Sequence, residues 1–327
     1  MRHLIVYPNC SKGGVTSVVR GRARKNPEIH YDVVFFNDRG GRFAFDDLPN
    51  VTVRIVRQDR SESYFNYLME NFSYSSVSVL SSPATSNQLV KFENCRVSYE
   101  FHSSDMSIVK KEIDQLEVDR IARFIAPTAV MTEQIRDLLP PRVRGRLEVE
   151  SNLVDTALFS PEGRADFFSN SRFEQDEDAI PLIWVGRFDS GKGYQYFIRT
   201  LAQLPERYVG HVIVSLESDP ARADKFLSEC AAMGVEDRVR LYLNLSQAQI
   251  AEAYRSVRDA GGWCVSTSLM ESFGYSVAEA TECGLRVAAF ELPVWDRYFG
   301  SETVVSVPGG SVQSLASAIL KENQVAR

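Results

Sequence analysis

Short apolar runs, many of them β-branched, recur along the first half of the chain at residues 4–7, 33–36, 51–56, 77–80, 97–101 and 124–126. Between them lie longer stretches, such as 61–72 and 130–139, whose apolar side chains follow helical spacing. Continuous apolar runs of strand length mark strands buried on both faces. Their alternation with amphipathic helices predicts a mostly parallel sheet covered on both sides. The pattern stops at residues 163–179, a polar and acidic stretch that reads as a linker. It restarts at Leu182 and continues through 212–216, 239–243, 263–266, 287–290 and 304–307, with a final helix from about Val312. The chain is therefore expected to form an α/β domain over 1–162, a linker over 163–180, a second α/β domain over 181–311 and a C-terminal helix over 312–327. A length of 327 residues suits two hydrophobic cores better than one.

The densest chemistry falls on two strand-to-helix junctions of the second domain. Residues 262–268 are apolar and β-branched, then Glu271, Ser272, Phe273, Gly274, Tyr275, Ser276, Val277, Ala278 and Glu279 lead into a helical pattern that Gly284 stops. Ser276 is placed as the helix cap, with Glu271 ahead of it and Glu279 about one turn inside. A helix start offers unpaired amides and the positive end of a dipole, which favour a phosphate, and the flanking carboxylates suit the hydroxyls of a sugar or ribose. At the other junction, the strand from Pro181 runs into Gly186, Arg187, Phe188, Asp189, Ser190, Gly191, Lys192 and Gly193. Arg187 offers a rigid fork and Lys192 a mobile point charge, a pair suited to a diphosphate whose charge grows as it departs. The same residues satisfy most of a G-x-x-x-x-G-K-[ST] phosphate loop. Gly193 stands where the magnesium-binding hydroxyl would be, which counts against a nucleotide hydrolase.

Together these junctions make the chain resemble the retaining nucleotide-sugar glycosyltransferases of the GT-B fold, specifically the GT4 family. Gly186, Arg187 and Phe188 followed by Lys192 and Gly193 resemble that family's donor-phosphate loop, and Glu271 with Glu279 its Glu-x7-Glu signature. Asn152, Leu153, Val154 and Asp155, then Phe159 and Pro161, are similar to its Asn-Gly-Val-Asp…Phe-x-Pro segment, with Leu153 in place of the glycine. Asp237 to Leu241 and Gln249 to Tyr254 match the strand and helix between the donor motifs. In the first half, Gly13 and Gly14 after the opening strand, and His102 after the strand ending at Phe101, match looser features. Arg286 stands where the family usually has proline, free to approach the donor or to be solvated.

The resemblance implies two Rossmann-like parallel-sheet domains facing each other across a cleft, with the acceptor on the first and the donor on the second. It implies that Arg187 and Lys192 neutralise the leaving diphosphate, that Glu271 orients sugar hydroxyls and that Glu279 holds the ribose diol. Gly13, Gly14, Gly186, Phe273, Gly274, Tyr275 and Ser276 would approach the donor through backbone groups, and His102 would face its sugar. The final helix would pack back on the first domain. The expected partners are a nucleoside-diphosphate sugar and a glycan, lipid-linked or small-molecule acceptor. A sugar-nucleotide sensor that has lost catalysis is the alternative of another class.

Composition narrows the picture further. With 44% hydrophobic and 24% charged residues the chain is ordinary globular material, and no apolar run approaches the roughly 20 residues of a membrane span. The opening residues read as a core strand and not a secretory signal, and five cysteines without a C-x-x-C pair fit a reduced cytoplasmic setting. Net charge is −6, with 21 basic and 21 acidic groups in residues 1–162 and 16 against 22 in the remainder. Arg20, Arg22, Arg24 and Lys25, and again Arg142, Arg144 and Arg146, form basic clusters compatible with peripheral contact at the inner membrane surface or with a phosphorylated acceptor. Aromatics are not interleaved with them, so nucleic-acid binding is disfavoured. Asp176, Glu177 and Asp178 fit an Asp-x-Asp metal motif but lack a flanking apolar strand. No catalytic metal and no cofactor is expected.

Overall fold

In a computed structural model, residues 1–93, 95–170, 178–215, 221–298 and 303–325 are described. The chain divides into two compact units, Met1–Asp155 and Thr156–Arg327. In the first, the strands are β1 (Arg2–Cys10), β2 (His30–Asp38), β3 (Val51–Ile55), β4 (Ser76–Leu80), β5 (Val97–Glu100), β6 (Arg123–Ala126) and β7 (Leu147–Val149). Its helices are α1 (Gly14–Lys25), α2 (Ser61–Asn71), α3 (Pro83–Leu89), α4 (Met106–Gln115) and α5 (Ala129–Leu138). Among the described residues these strands form one parallel sheet in the order β3-β2-β1-β4-β5-β6-β7. Leu4 and Val6 of β1 point into one core with Phe65, Tyr99 and Phe124, while Ile5 points into the other with Val19, Val33 and Phe35. Burial on both faces explains why the strands read as unbroken apolar runs. Strand β7 escaped that reading because only Leu147 of its three residues is buried.

The second unit repeats the plan. Its strands are β8 (Ile180–Gly186), β9 (Tyr208–Val214), β10 (Val239–Leu243), β11 (Trp263–Ser266), β12 (Val287–Phe290) and β13 (Val304–Val307). Its helices are α6 (Tyr194–Gln203), α7 (Ala221–Ala232), α8 (Gln247–Asp259), α9 (Tyr275–Glu282), α10 (Pro293–Tyr298) and α11 (Val312–Val325). The strands lie parallel in the order β10-β9-β8-β11-β12-β13. In both sheets the chain first winds outward one way and then returns to wind the other. The reversal falls between β1 and β4 in the first unit and between β8 and β11 in the second. Loops leaving the carboxyl ends of strands at such a reversal diverge, and ligands of doubly wound sheets bind there.

Two expectations about organisation are corrected. The first domain ends at Asp155, not at 162, because the following segment is tied to α8. Arg255 of that helix donates to the carbonyls of Leu158, Ser160 and Arg164, and Phe159 packs against Tyr254. The stretch from 163 is likewise not a solvated linker over its described part. Phe167 and Phe168 pack against Tyr242 and His211, and the Phe167 amide donates to Ser256 Oγ. Two aromatics override the polarity of their neighbours. Of the acidic run, Asp178 is an exposed turn residue, whereas Asp176 and Glu177 lie outside the described residues. Helix α11 sends Leu315, Ala316 and Ile319 into the core of the second unit, against α6, β12 and β13.

The arginines of the basic clusters have internal partners. Arg20 and Arg24 pair with Asp47 and Asp155, and Arg22 with Glu100 and Glu150. Arg142 pairs with Asp119, while Arg144 and Arg146 donate to main-chain carbonyls at 137–139 and 119–121. These guanidiniums brace the first domain. Among the described residues, no helix is long and apolar enough to cross a membrane.

The central pair is Arg22 with Glu100, joined by two bonds of 2.8 and 2.9 Å. Burial pushes the Glu100 carboxyl up, but Arg22 and His102 more than offset it and hold the group well below the usual carboxylate range. Removing one partner of a buried pair leaves the other uncompensated. Glu100→Ala should cost about 3–5 kcal/mol in urea unfolding at neutral pH. Because the folded carboxyl is depressed, its stabilisation is full above about pH 4.5, the unfolded value, and fades as pH falls through the folded one. The variant's deficit should therefore shrink in acid.

Candidate functional site

The two donor-like motifs leave the carboxyl ends of β8 and β11, the adjacent strands that flank the reversal. Trp184 of β8 donates from Nε1 to Thr267 Oγ1 at 3.0 Å, and Thr267 donates to the Lys192 carbonyl at 3.1 Å. The Leu269 amide donates to the Gly191 carbonyl at 2.8 Å. These bonds tie the loop after β8 to the loop after β11. Gly193 is left-handed at φ +62°, and a Cβ there would lie 2.5 Å from the Thr267 carbonyl oxygen. Only glycine permits that approach. Gly186 makes room for the Trp184 ring, so its contribution to the site is indirect.

Lys192 and Glu271, 79 positions apart, meet with Nζ 2.5 Å from Oε1. Ser268 Oγ donates to the same carboxylate oxygen at 2.7 Å. Asp189 Oδ1 accepts from the Lys192 amide at 2.9 Å, and Asp189 Oδ2 lies 3.2 Å from Arg187 Nε. The expected residues Arg187, Lys192 and Glu271 thus stand in one charged chain with Asp189. The Arg187 side chain is 64% exposed, free to meet a ligand.

Helix α9 begins differently from the expectation. Gly274, at φ +86°, is its N-cap, and the first helical bonds run from the Val277 and Ala278 amides to the Gly274 carbonyl. Ser276 lies inside the helix and caps nothing. The reason is steric: a Cβ at Gly274 would sit 2.5 Å from the Trp295 ring, and the left-handed turn there starts the helix two residues earlier. Phe273 is buried with its ring against Tyr275, so its ring is packed inward. Tyr254 OH donates to the Ser276 carbonyl at 3.1 Å, fixing the first turn to α8. The opening of α9 and the loop carrying Glu271 therefore form one frame.

Glu279, on the first turns of α9, is 8% exposed. Burial pushes its carboxyl up to about 8, a rise that the Lys192 ammonium partly opposes. That opposition places the fourth expected residue within the same electrostatic neighbourhood.

In the first unit, Gly13 caps α1 and Gly14 opens it, at the carboxyl end of β1. His102 follows β5, with Nε2 3.3 Å from Glu100 Oε2 and a side chain 10% exposed. Arg286 turns away from the donor loops. Its guanidinium lies 4.2 Å over the Trp263 ring, at the opposite end of β11 from Glu271, and donates to the Gly261 carbonyl. Sequence reading missed Asp189, Thr267 and Ser268. Asp189 left a signal, since an acidic residue three positions before an amide it can accept from is a capping pattern. Thr267 and Ser268 left none beyond their place at a strand end. Among the described residues no cluster of three or more His, Cys, Asp or Glu is arranged to hold a metal.

Two parallel doubly wound domains with loops of this kind define the architecture of GT-B glycosyltransferases, and the comparisons agree. HepE of Anabaena, solved with UDP and glucose, superposes with a TM-score of 0.80 at 15% identity over 98% of this chain and 89% of its own. Sucrose-phosphate synthase of Thermosynechococcus elongatus superposes at 0.78 and 19% identity, over 99% of this chain and 90% of its own. In sequence, residues 167–322 match the family described as Glycosyl transferases group 1. Proteins named D-inositol 3-phosphate glycosyltransferase are 28% identical over 51% of this chain in Streptosporangium roseum and 33% identical over 42% in Thermobifida fusca. The chain spans 39% and 32% of the length of those two relatives.

The buried Glu279 yields a stability prediction. Between about pH 4.5 and 8 the folded protein keeps a proton that the unfolded chain releases. Stability from this group is therefore full below pH 4.5 and lost as pH rises through 8, with a slope of up to about 1.4 kcal/mol per pH unit. Urea midpoints measured across this range should fall less steeply for Glu279→Gln than for the unsubstituted protein. Equal slopes would mean that the carboxyl is already ionised at neutral pH.

Proposed function

We propose that the protein transfers a sugar from a nucleoside-diphosphate donor to an acceptor hydroxyl with retention of anomeric configuration and without a metal. The observation that carries this reading is the Lys192–Glu271 contact of 2.5 Å at the ends of β8 and β11, beside the start of α9. Arg187 and Lys192 take the departing diphosphate, with the amides of Tyr275 and Ser276 at the positive end of α9. Glu271, fixed by Ser268 and Lys192, orients sugar hydroxyls, and Glu279 holds the ribose diol. His102, held against Glu100, is the first domain's candidate to touch a substrate.

A double displacement requires a carboxylate nucleophile on the far face of the sugar. The two acidic groups of the donor motifs have other work here: one is paired with Lys192, the other buried at a helix start. The reading is front-face attack, in which a departing phosphate oxygen accepts the proton of the incoming hydroxyl. Positioning and charge stabilisation then supply most of the rate. Solved neighbours bound to UDP and UDP-glucose make uridine diphosphate sugars the first donors to try.

Arg187→Ala and Lys192→Ala should each lower donor turnover by about 10²-fold or more, read as nucleoside diphosphate released with acceptor present. Melting raised by a sugar nucleotide that is never turned over would identify a sensor instead. Turnover should survive EDTA, because two side-chain cations carry the task a metal would perform. Collapse on chelation, restored by a divalent cation, would contradict that assignment.

A further inference from the structure

We propose that Asp189 is a positioning residue that aims the Arg187 guanidinium at the donor diphosphate, an inference that rests on the donor-phosphate reading above. Asp189 sits between the two cations and touches both parts of the loop. Its Oδ1 is anchored by the Lys192 amide at 2.9 Å, which fixes the carboxylate plane independently of Arg187. The loop backbone reinforces this, since the Asp189 amide donates to the Arg187 carbonyl at 2.8 Å and the Gly193 amide to the Asp189 carbonyl at 3.4 Å. The second oxygen, Oδ2, lies 3.2 Å from Arg187 Nε.

A guanidinium is planar and presents its donors along separate edges. With Nε held by Asp189, the edge formed by the two terminal nitrogens keeps its fork for bidentate contact with phosphate. An exposed arginine on a glycine-containing loop otherwise loses several rotatable bonds' worth of freedom when it binds, and the ion pair removes part of that loss beforehand. The carboxylate also lies close to an incoming anion. Placing a negative charge there would only weaken binding unless it gained something in orientation, so the sign of its effect is diagnostic.

Asp189→Asn separates the two roles. The amide oxygen still accepts from the Lys192 N–H and keeps the loop, while the charge facing Arg187 is lost. Calorimetric titration with UDP, and with inorganic pyrophosphate as a base-free probe, should show Asp189→Asn binding about tenfold more weakly than the unsubstituted protein, with melting temperature unchanged. In an Arg187→Ala background the same substitution should have no effect or should strengthen binding, because only the repulsive charge remains to be removed. Arg187→Lys, which lacks the two-edged geometry, should lose affinity comparably and show no further loss when combined with Asp189→Asn.

The outcomes separate cleanly. If neither UDP nor pyrophosphate binds, or if Arg187→Ala leaves their affinity intact, the donor-phosphate reading itself fails. If Arg187→Ala weakens binding but Asp189→Asn matches or exceeds the unsubstituted protein, the positioning role is overturned and Asp189 is only a loop cap. A tenfold loss that persists in the Arg187→Ala background overturns it equally. Should Asp189→Asn prove unstable, Arg187→Lys alone decides the question: affinity for UDP and pyrophosphate equal to that of the unsubstituted protein refutes the proposal.

Discussion

The contact between Lys192 and Glu271 is the constraint on which the second domain's site depends. Two oppositely charged groups at 2.5 Å attract strongly, yet an isolated pair with a partly exposed lysine adds little to stability. Its value is geometric. The lysine main chain is already fixed by Asp189 and Thr267, and the glutamate carboxylate by Ser268, so closing the pair costs little further ordering. It joins loops from two strands that the sheet order makes neighbours. Arg187 joins this junction through Asp189, and the loop that carries Glu271 leads on to the start of α9.

The architecture makes that junction available. In both units the chain reverses its winding after the third strand, so the first and fourth strands of each sheet lie side by side with their following loops on the same edge. The second unit puts its cationic and acidic motifs on those two loops. The first puts Gly13 and Gly14 after β1, and His102 follows β5, one strand beyond the reversal. Its polar network differs in kind. Arg22 and the buried Glu100 form an ionic brace whose removal costs folding energy, with the half-exposed Glu150 at its outer side and His102 held against Glu100.

Much of this was legible because local spacing encodes it. Apolar runs buried on both faces announce parallel strands, and Glu271 with Glu279, or Arg187 with Lys192, are close enough in sequence for a strand, turn and helix to set their separation. What was not legible depends on distant contacts. The aromatics Phe167 and Phe168 sit in a stretch whose average character is polar, and only Tyr242 and His211 show that they are core. Ser276 has the chemistry of a cap, but Trp295 selects glycine at 274 and moves the helix start. The clustered arginines look like a surface until Asp47, Asp155, Glu100 and Asp119 are found opposite them. Charge counted along a chain does not reveal which charges are already neutralised in space.

The charge state of Glu279 completes the electrostatic logic of the proposed donor site. Arg187 faces Asp189 and Lys192 faces Glu271, so these four groups are close to balanced before any ligand arrives. A diphosphate brings further negative charge, and an ionised Glu279 beside it would add more in a poorly solvated place. Burial resolves this by pushing the carboxyl up to about 8, so that at neutral pH it is largely protonated. Neutrality does not disable it as a ligand. A protonated carboxyl donates through its O–H and accepts through the other oxygen, and a vicinal diol presents both complements. The burial that makes Glu279 a poor carboxylate therefore suits it to hold two hydroxyls next to phosphate without repelling the phosphate.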